Sequence, residues 1–303
     1  MKPRVRSAGA ALLLLLAPTA LLAHNFWVEP DTLFPRAGAR LDVSLCIGHH
    51  LEVERYARNP RHAAEFYVLA ADRTKVEVAG EPGAQPAGHV EAMPAGPAWV
   101  VYRSNFSGSE LEADRFEAYL VEEGLEHVVA ERAARGESER PGRERYARAA
   151  KALVVASHGV AADGAESVTA DVPAFASAPV GLPAELVLKA NPLLPAPKDT
   201  THLPLQLLVD GEPRAGALVT LQSLSTGLDT ATTHRARTDE AGIARLPWPK
   251  EGQWLATTVH MVRAEGETEY EWRSQFVSLR FDVPGGSPSE APAKPSGNGR
   301  SGP

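Results

Sequence analysis

The chain has 303 residues, of which 31 are Lys or Arg and 38 are Asp or Glu, giving a formal net charge of −7. A net negative charge disfavours binding to nucleic acid and to anionic membrane surfaces, and it is compatible with binding cations. Cys46 is the single cysteine, so an intramolecular disulfide is excluded. We therefore expect ordinary hydrophobic cores and a buried thiol.

Residues 1–23 have the composition of a secretory signal peptide. Three basic residues precede an apolar run that is too short to cross a bilayer, and Ala23 follows that run. Cleavage after Ala23 removes no acidic residue, so the net charge becomes −10 (28 basic minus 38 acidic residues). Leu21 stands where a small residue is usual, which leaves cleavage one residue away open. The sequence predicts a periplasmic protein that begins at His24, without membrane insertion of the mature chain.

A mature terminus at His24 has metal-binding chemistry that an internal histidine lacks. Its free α-amine, with an unperturbed pKa of about 7.7–8.0, is partly neutral at physiological pH. The amine and Nδ1 of the same imidazole can close a six-membered chelate on one metal ion. A second imidazole would complete a three-nitrogen site, which suits Ni, Co, Cu or Zn rather than Ca or Mg. The alternative is that cleavage merely happens to leave a histidine first.

Residues 24–178 predict an N-terminal β domain with a helical insertion. The stretches ARLDVSLCIGHH, AEFYVLAAD and PAWVVYRSN have the alternation or the aromatic and β-branched content of strands. Apolar residues change to helical spacing over about 110–150. Gly124 marks a break between two helical pieces, and Pro141 suits the start of a further helix that runs into a strand.

Residues 179–284 predict a second domain, an immunoglobulin-like β-sandwich, because six short strand patterns alternate with turn signals. The Asp210-Gly211 pair is typical of a tight hairpin turn. Residues 285–303 have no apolar residue other than Ala and predict a disordered tail. The fold class is therefore mainly β.

Four stretches together resemble the DUF4198 family: AHNFWVEP, IGHH, the helical EGLEHVVAERAARG and the region from DGEPRAGALVTLQS to GQWLATTVHM. Members of that family are exported bacterial proteins often labelled periplasmic components of nickel or cobalt uptake. The resemblance implies binding of a divalent transition metal, and it allows a membrane metal transporter as a partner. It also implies a role for His49 and His260, which match histidine positions of the family pattern.

Five histidines are candidate metal ligands: His24, His49, His260, His50 and His127. His49 and His50 are adjacent at the end of a strand, where neighbouring side chains point to opposite faces, so one of them reaches a site. For His260 the rival interpretation is a hydrogen-bonded core histidine, and for His127 it is a solvated helix face. We expect the other histidines to be solvated: His62, His89, His158, His202 and His234.

Three functions stay open from the sequence. The first is a metal-binding protein for uptake or delivery, whose metal the sequence does not choose. The second is a copper-dependent oxidative enzyme with a terminal-histidine site, and the third is an envelope binding or adhesion module without metal. The sequence has no Gly-x-Ser-x-Gly, His-Glu-x-x-His, Walker or Rossmann motif, which favours binding over turnover.

Overall fold

The computed structural model describes residues 25–49, 52–158, 172–194, 196–224 and 232–284, with the side chains of residues 49 and 52 outside the description. The predicted signal peptide and the predicted tail lie outside the described residues. The described strands are β1 (Asn25–Pro30), β2 (Leu41–His49), β3 (Glu52–Tyr56), β4 (Ala63–Leu69), β5 (Lys75–Glu77), β6 (Gly88–Val90), β7 (Gly96–Ser104), β8 (Ser107–Leu111), β9 (Gly142–Ala156), β10 (Ala184–Leu188), β11 (His202–Val209), β12 (Glu212–Pro213), β13 (Leu218–Ser223), β14 (His234–Arg237), β15 (Ile243–Pro247), β16 (Gly252–Arg263) and β17 (Trp272–Val283). The described helices are α1 (Ala113–Glu122), α2 (Glu126–Ala134) and α3 (Val172–Ala176).

The strands form three sheets, and the mainly β fold class is confirmed. A nine-stranded central sheet has the order β14-β13-β16-β17-β9-β7-β4-β5, with β8 paired to β9. An N-terminal sheet contains β1, β2, β3 and β6, and a C-terminal sheet contains β10, β11, β12 and β15. All the pairings are antiparallel except that of β9 with β17, which is parallel.

The central sheet is covered on both faces, and β9 shows this within one strand. Ala150, Ala152 and Val154 belong to the core shared with the N-terminal sheet. Ala149 and Leu153 belong to the core shared with the C-terminal sheet. A strand buried on both faces has a nearly continuous apolar sequence, as in ALVVA at the end of β9. The molecule is therefore layered like a sandwich around the central sheet.

The prediction of a helix starting near Pro141 is wrong, because residues 142–156 form one long strand. Its first half pairs with β8 and its second half with β7, while β17 pairs along its other edge. In the first residues of this strand, burial alternates over Gly142, Arg143, Glu144 and Arg145, which is the period of a strand with two different faces. Arg143 and Arg145 lie on one face, and Glu144 lies buried on the other.

The helices α1 and α2 lie over one end of β16 and β17. Phe116 and Tyr119 of α1 pack in a cluster with Val259 and Met261. Gly124, the predicted break, separates the two helices with a φ of +68°, a conformation that favours glycine.

The strand patterns of 179–284 correspond to β10–β17. The β11–β12 hairpin turns at Asp210 and Gly211, whose φ values of 52° and 82° fit a type I′ turn. The central sheet takes strands from both sides of residue 178. In the part of the chain that the structure describes, no helix has the length and apolar character needed to span a membrane.

Candidate functional site

The described chain begins with a strand that is held on both of its faces. Phe26 is 8% exposed and lies 5.2 Å from the ring of Tyr102, while Trp27 is 1% exposed and packs with Cys46 and Leu255. The indole N–H of Trp27 donates a hydrogen bond of 2.9 Å to Glu29. Adjacent aromatic residues on opposite faces fix both the position and the rotation of the strand.

The pairing of β1 with β2 brings the start of the described chain beside two of the candidate ligands. Asn25 is opposite Gly48, and the register continues to Pro30 opposite Val43. His49 follows Gly48 as the last residue of β2, with its backbone paired to Glu52 in the next strand. His24 and His50 lie outside the described residues, as does the side chain of His49.

A second region contains the other two candidate ligands. A cleft of about 500 Å³ lies between α2, the chain segment 214–217 and the end of β16, and both His127 and His260 line it. Arg237 closes one side, because its guanidinium donates to the carbonyls of Gly124 and Gly216 at 3.1 and 2.8 Å and to the carboxylate of Glu126.

In this cleft the tautomer of His127 is fixed by its neighbour. Nε2 lies 3.2 Å from the carbonyl oxygen of Met261, which can only accept, so Nε2 carries the proton. Nδ1 is then the nitrogen with a lone pair. A histidine that donates one N–H to a backbone carbonyl has the arrangement usual for a metal ligand, although the same contact also serves a purely structural histidine.

His260 is half-buried in the same cleft. Burial, with smaller contributions from the nearby Arg214 and His127, lowers the pKa of its imidazole to about 4. The ring is therefore neutral at neutral pH, and one of its nitrogens can accept a hydrogen bond or a metal ion.

The alternation of β16 separates His260 from the region around β1. Leu255 packs against Trp27, and Val259 and Met261 pack under the helices. These odd-numbered residues share one face of the strand, so His260 points to the other face. Within the described ranges, no group of three or more His, Cys, Asp and Glu side chains is placed to hold a metal ion. The structure thus brings His127 and His260 together, and it places His49 next to the start of β1.

Sequence reasoning missed a buried carboxyl group between α1 and the central sheet. Glu144 is 4% exposed and accepts hydrogen bonds from the hydroxyls of Ser274 at 3.0 Å and Tyr119 at 3.3 Å. Burial raises the pKa of Glu144 to about 7, although both hydroxyls act in the opposite direction. Burial and the neighbouring Glu122 also raise the pKa of Glu123 to about 7. The strand period of RERYAR was the available signal, since it places Glu144 on an inward-facing position.

The remaining histidines have varied surroundings. His89 lies 2.9 Å from the carboxylate of Glu91, and His234 stacks on Trp254 at a ring distance of 6.4 Å. His62, His158 and His202 are exposed, as expected for solvated histidines.

Comparison with known proteins agrees with the resemblance seen in the sequence. The model of one family, described as "Domain of unknown function (DUF4198)", matches residues 21–262. No curated protein matches the chain. Since the match spans well over half of the 303 residues, including β1, His127 and His260, the chain belongs to the DUF4198 family.

Proposed function

We propose that the protein is a periplasmic transition-metal-binding protein, serving uptake or delivery, that holds its metal with the mature N-terminal histidine and His49. The observation that carries this proposal is the register of β1 and β2, in which Asn25 stands opposite Gly48. His24 is bonded to the first of these residues and His49 to the second.

Covalent geometry limits how far apart the two histidines can be. Consecutive Cα atoms are about 3.8 Å apart, and opposed Cα atoms of an antiparallel pair are about 4.5–5.5 Å apart. The Cα atoms of His24 and His49 are therefore at most about 13 Å apart, whatever the conformation of His24. Because the chelate of amine and Nδ1 holds the metal close to the Cα of His24, the imidazole of His49 must supply most of the reach. One metal ion can therefore contact both residues when the two Cα atoms lie well inside this upper limit.

The anchoring of β1 supports the same proposal. Phe26 and Trp27 are buried on opposite faces of the strand only two and three residues after His24. A terminus tied down so closely loses little further conformational freedom when it binds a ligand, and binding is stronger when the ligating groups are held in place beforehand.

The donor set determines the class of metal. An amine and two imidazoles are nitrogen donors of intermediate softness, which suits Ni, Co, Cu and Zn, and affinity in vitro follows the order in which copper binds best. The predicted mature charge of −10 also favours a cationic ligand over an anionic one in the long-range field of the protein. The metal is cargo in this proposal, so the protein binds it without turnover.

The test begins with the intact mass of the protein recovered from the periplasm, which establishes whether His24 is the first residue. Native mass spectrometry then measures binding of added Ni, Co and Cu to that protein and to two variants. In the first variant a single added glycine precedes His24, which moves the α-amine out of the chelate. The second variant is His49→Ala. Each change is expected to weaken binding at least tenfold, equivalent to about 1.4 kcal/mol.

His202→Ala is the matched control, because His202 is exposed on β11 and its imidazole has Thr201 as a hydrogen-bond partner at 2.8 Å. Its metal affinity is expected to equal that of the unchanged protein. Equal metal binding with and without the extra glycine would refute the chelate and leave a plain envelope binding module. Copper-dependent consumption of peroxide would indicate the oxidative enzyme instead.

A further inference from the structure

One arginine of the central sheet lies against two aromatic rings, and its guanidinium makes no hydrogen bond within the described residues. Arg148 of β9 lies over the ring of Phe26 at 5.4 Å and over the ring of Tyr146 at 4.9 Å. Its backbone N–H donates to Ser104 Oγ at 2.8 Å, which fixes the start of the side chain. Its Nε is buried and has no hydrogen-bond partner among the described residues.

The charge of this arginine is also uncompensated by direct contact. No ion pair within the described part of the chain includes Arg148. Glu144 interacts with Arg148 through space, without a direct contact between the two side chains. A partly buried cation without a partner costs free energy, and such a site is stabilised when an anion completes it.

Arg148 lines a small pocket that has the shape and polarity for such an anion. The pocket has a volume of about 30 Å³, and none of the ten residues that line it is acidic. Its floor is buried and is formed by Phe26, Tyr102 and Ser104. Its rim is exposed to solvent and is formed by Tyr56, Asn59 and His62.

We propose that this pocket is a receptor for one carboxylate group, which binds to the unused edge of the Arg148 guanidinium. The guanidinium presents a planar fork of N–H donors that matches a carboxylate, and the neighbouring rings of Phe26 and Tyr146 restrict where this fork can lie. The volume is close to that of one water molecule, so the pocket itself admits one carboxylate oxygen and excludes bulkier anions. The rest of the ligand would lie beyond the exposed rim.

The position of the pocket links it to the N-terminal strand. Phe26, whose ring lies 5.4 Å from the guanidinium of Arg148, is two residues after His24. Two sources of the carboxylate fit this position: a free small carboxylic acid, or a carboxylate arm of a chelator that carries a metal ion. The receptor itself does not depend on the proposed metal site, and the experiment separates the two.

The test is a titration followed by ¹H–¹⁵N NMR of the arginine Nε–H signals of the mature protein. Sodium acetate is added at constant ionic strength, with chloride as the balancing ion, and citrate is then added with and without Ni. A saturable shift of the Arg148 Nε–H signal is the expected result. Arg148→Lys keeps the charge but loses the planar fork, and it is expected to weaken binding at least tenfold.

Arg145 supplies the matched control, since it also lies over an aromatic ring, Phe106 at 4.6 Å, but is already paired with Glu267 at 3.1 Å. Arg145→Lys is expected to leave acetate binding unchanged. If Arg148→Lys does not fold, Tyr102→Phe is used to test the pocket instead. It removes one hydroxyl from a residue that lines the pocket and keeps the packed ring. We expect this variant to bind acetate several-fold more weakly.

Acetate binding that Arg148→Lys weakens supports a free carboxylate ligand. Binding of Ni-citrate alone, weakened by the same substitution, supports a chelator arm. Absence of any saturable shift with all three ligands overturns the receptor, as does binding that neither Arg148→Lys nor Tyr102→Phe changes. The metal site is tested by Ni without citrate and by the extra-glycine protein, so either proposal can fail alone.

Discussion

Lys151 and Glu185 join the central and C-terminal sheets through an ion pair in which Nζ and Oε2 are 2.6 Å apart and the side chains are 1% and 2% exposed. Lys151 also lies 4.7 Å from the ring of Trp99, and Glu185 accepts the backbone N–H groups of Val180 and Gly181. Burial lowers the pKa of Lys151. Burial raises the pKa of Glu185, but attraction to Lys151 together with the hydrogen bonds from Lys151, Val180 and Gly181 outweighs it, so this pKa is lowered. The pair is thus satisfied only while both members are present.

Replacing Lys151 with Met should lower the free energy of unfolding by roughly 3–5 kcal/mol, because it leaves the Glu185 carboxylate buried without its cation. The double variant Lys151→Met with Glu185→Gln should be more stable than Lys151→Met alone, since the neutral amide oxygen still accepts an N–H. Urea denaturation measures both. Additive losses would show that the two side chains are not coupled.

Glu144 should make the protein less stable as the pH rises. Its pKa is about 7 in the folded protein and 4.5 as a free group, so the folded state binds more protons between these values. Stability from this group is complete below pH 4.5 and is lost as the pH rises to 7, by roughly 3 kcal/mol. Thermal melts from pH 5 to 8 should show a smaller fall for Glu144→Gln.

Glu65 is a control for Glu144, because its pKa is shifted in the opposite direction. Its hydrogen bond with Arg103 lowers its pKa, so its stabilisation is present at neutral pH and is lost on acidification through the lowered pKa. Glu65→Gln should therefore leave the loss of stability between pH 5 and 8 as large as in the unchanged protein. If Glu144→Gln loses stability between pH 5 and 8 as steeply as the unchanged protein, Glu144 is not the cause of that loss.

His260 should stay neutral at pH values well below the usual pKa of a histidine. Its folded pKa is about 4 against an ordinary 6.5, so the unfolded chain binds more protons between these values and stability is lost as the pH falls from 6.5 to 4. NMR titration of the imidazole protons should show no transition above pH 5. A transition of the His260 ring near pH 6.5 would contradict the burial argument.

Gly124→Ala should destabilise the junction of α1 and α2 more than Gly136→Ala destabilises the end of α2. Both glycines have positive φ, +68° and +66°, which costs a residue with a Cβ about 1–2 kcal/mol. At Gly124 the new Cβ would also lie 2.6 Å from Cβ of Leu218, whereas at Gly136 it meets nothing within 4 Å. Equal losses in urea denaturation would show that the contact with Leu218 relaxes freely.

The strands of the C-terminal half could be predicted because each has a local signal. Alternating residues indicate β11 and β13, and the Asp210-Gly211 pair indicates the hairpin between β11 and β12. These signals depend on neighbours in the sequence, and a single chain contains them in full. The parallel partner of β9, in contrast, lies more than 100 residues away, so nothing near residue 142 indicates it.

The candidate sites likewise have some features that local sequence signals predict and others that depend on pairing between distant strands. Burial of Phe26 and Trp27 follows from their apolar character in a strand, which the sequence supplies. The stacking of Arg148 on Phe26 requires β1 to cross β9, and that crossing depends on the pairing of strands distant in sequence. The polar lining of a small pocket is therefore a property of the assembled layers, and residue spacing alone does not reveal it.

The parallel pairing of β9 with β17 has a consequence for how the chain folds. During synthesis from the N-terminus, β7 and β8 can pair with one edge of β9 early, but the other edge has no partner until Trp272–Val283 arrives. Pairing between such distant segments is slow, and a bare, largely apolar strand edge invites association with other chains. A nascent chain of this protein is therefore most exposed to aggregation, and most dependent on a chaperone, just before β17 is available to pair with β9.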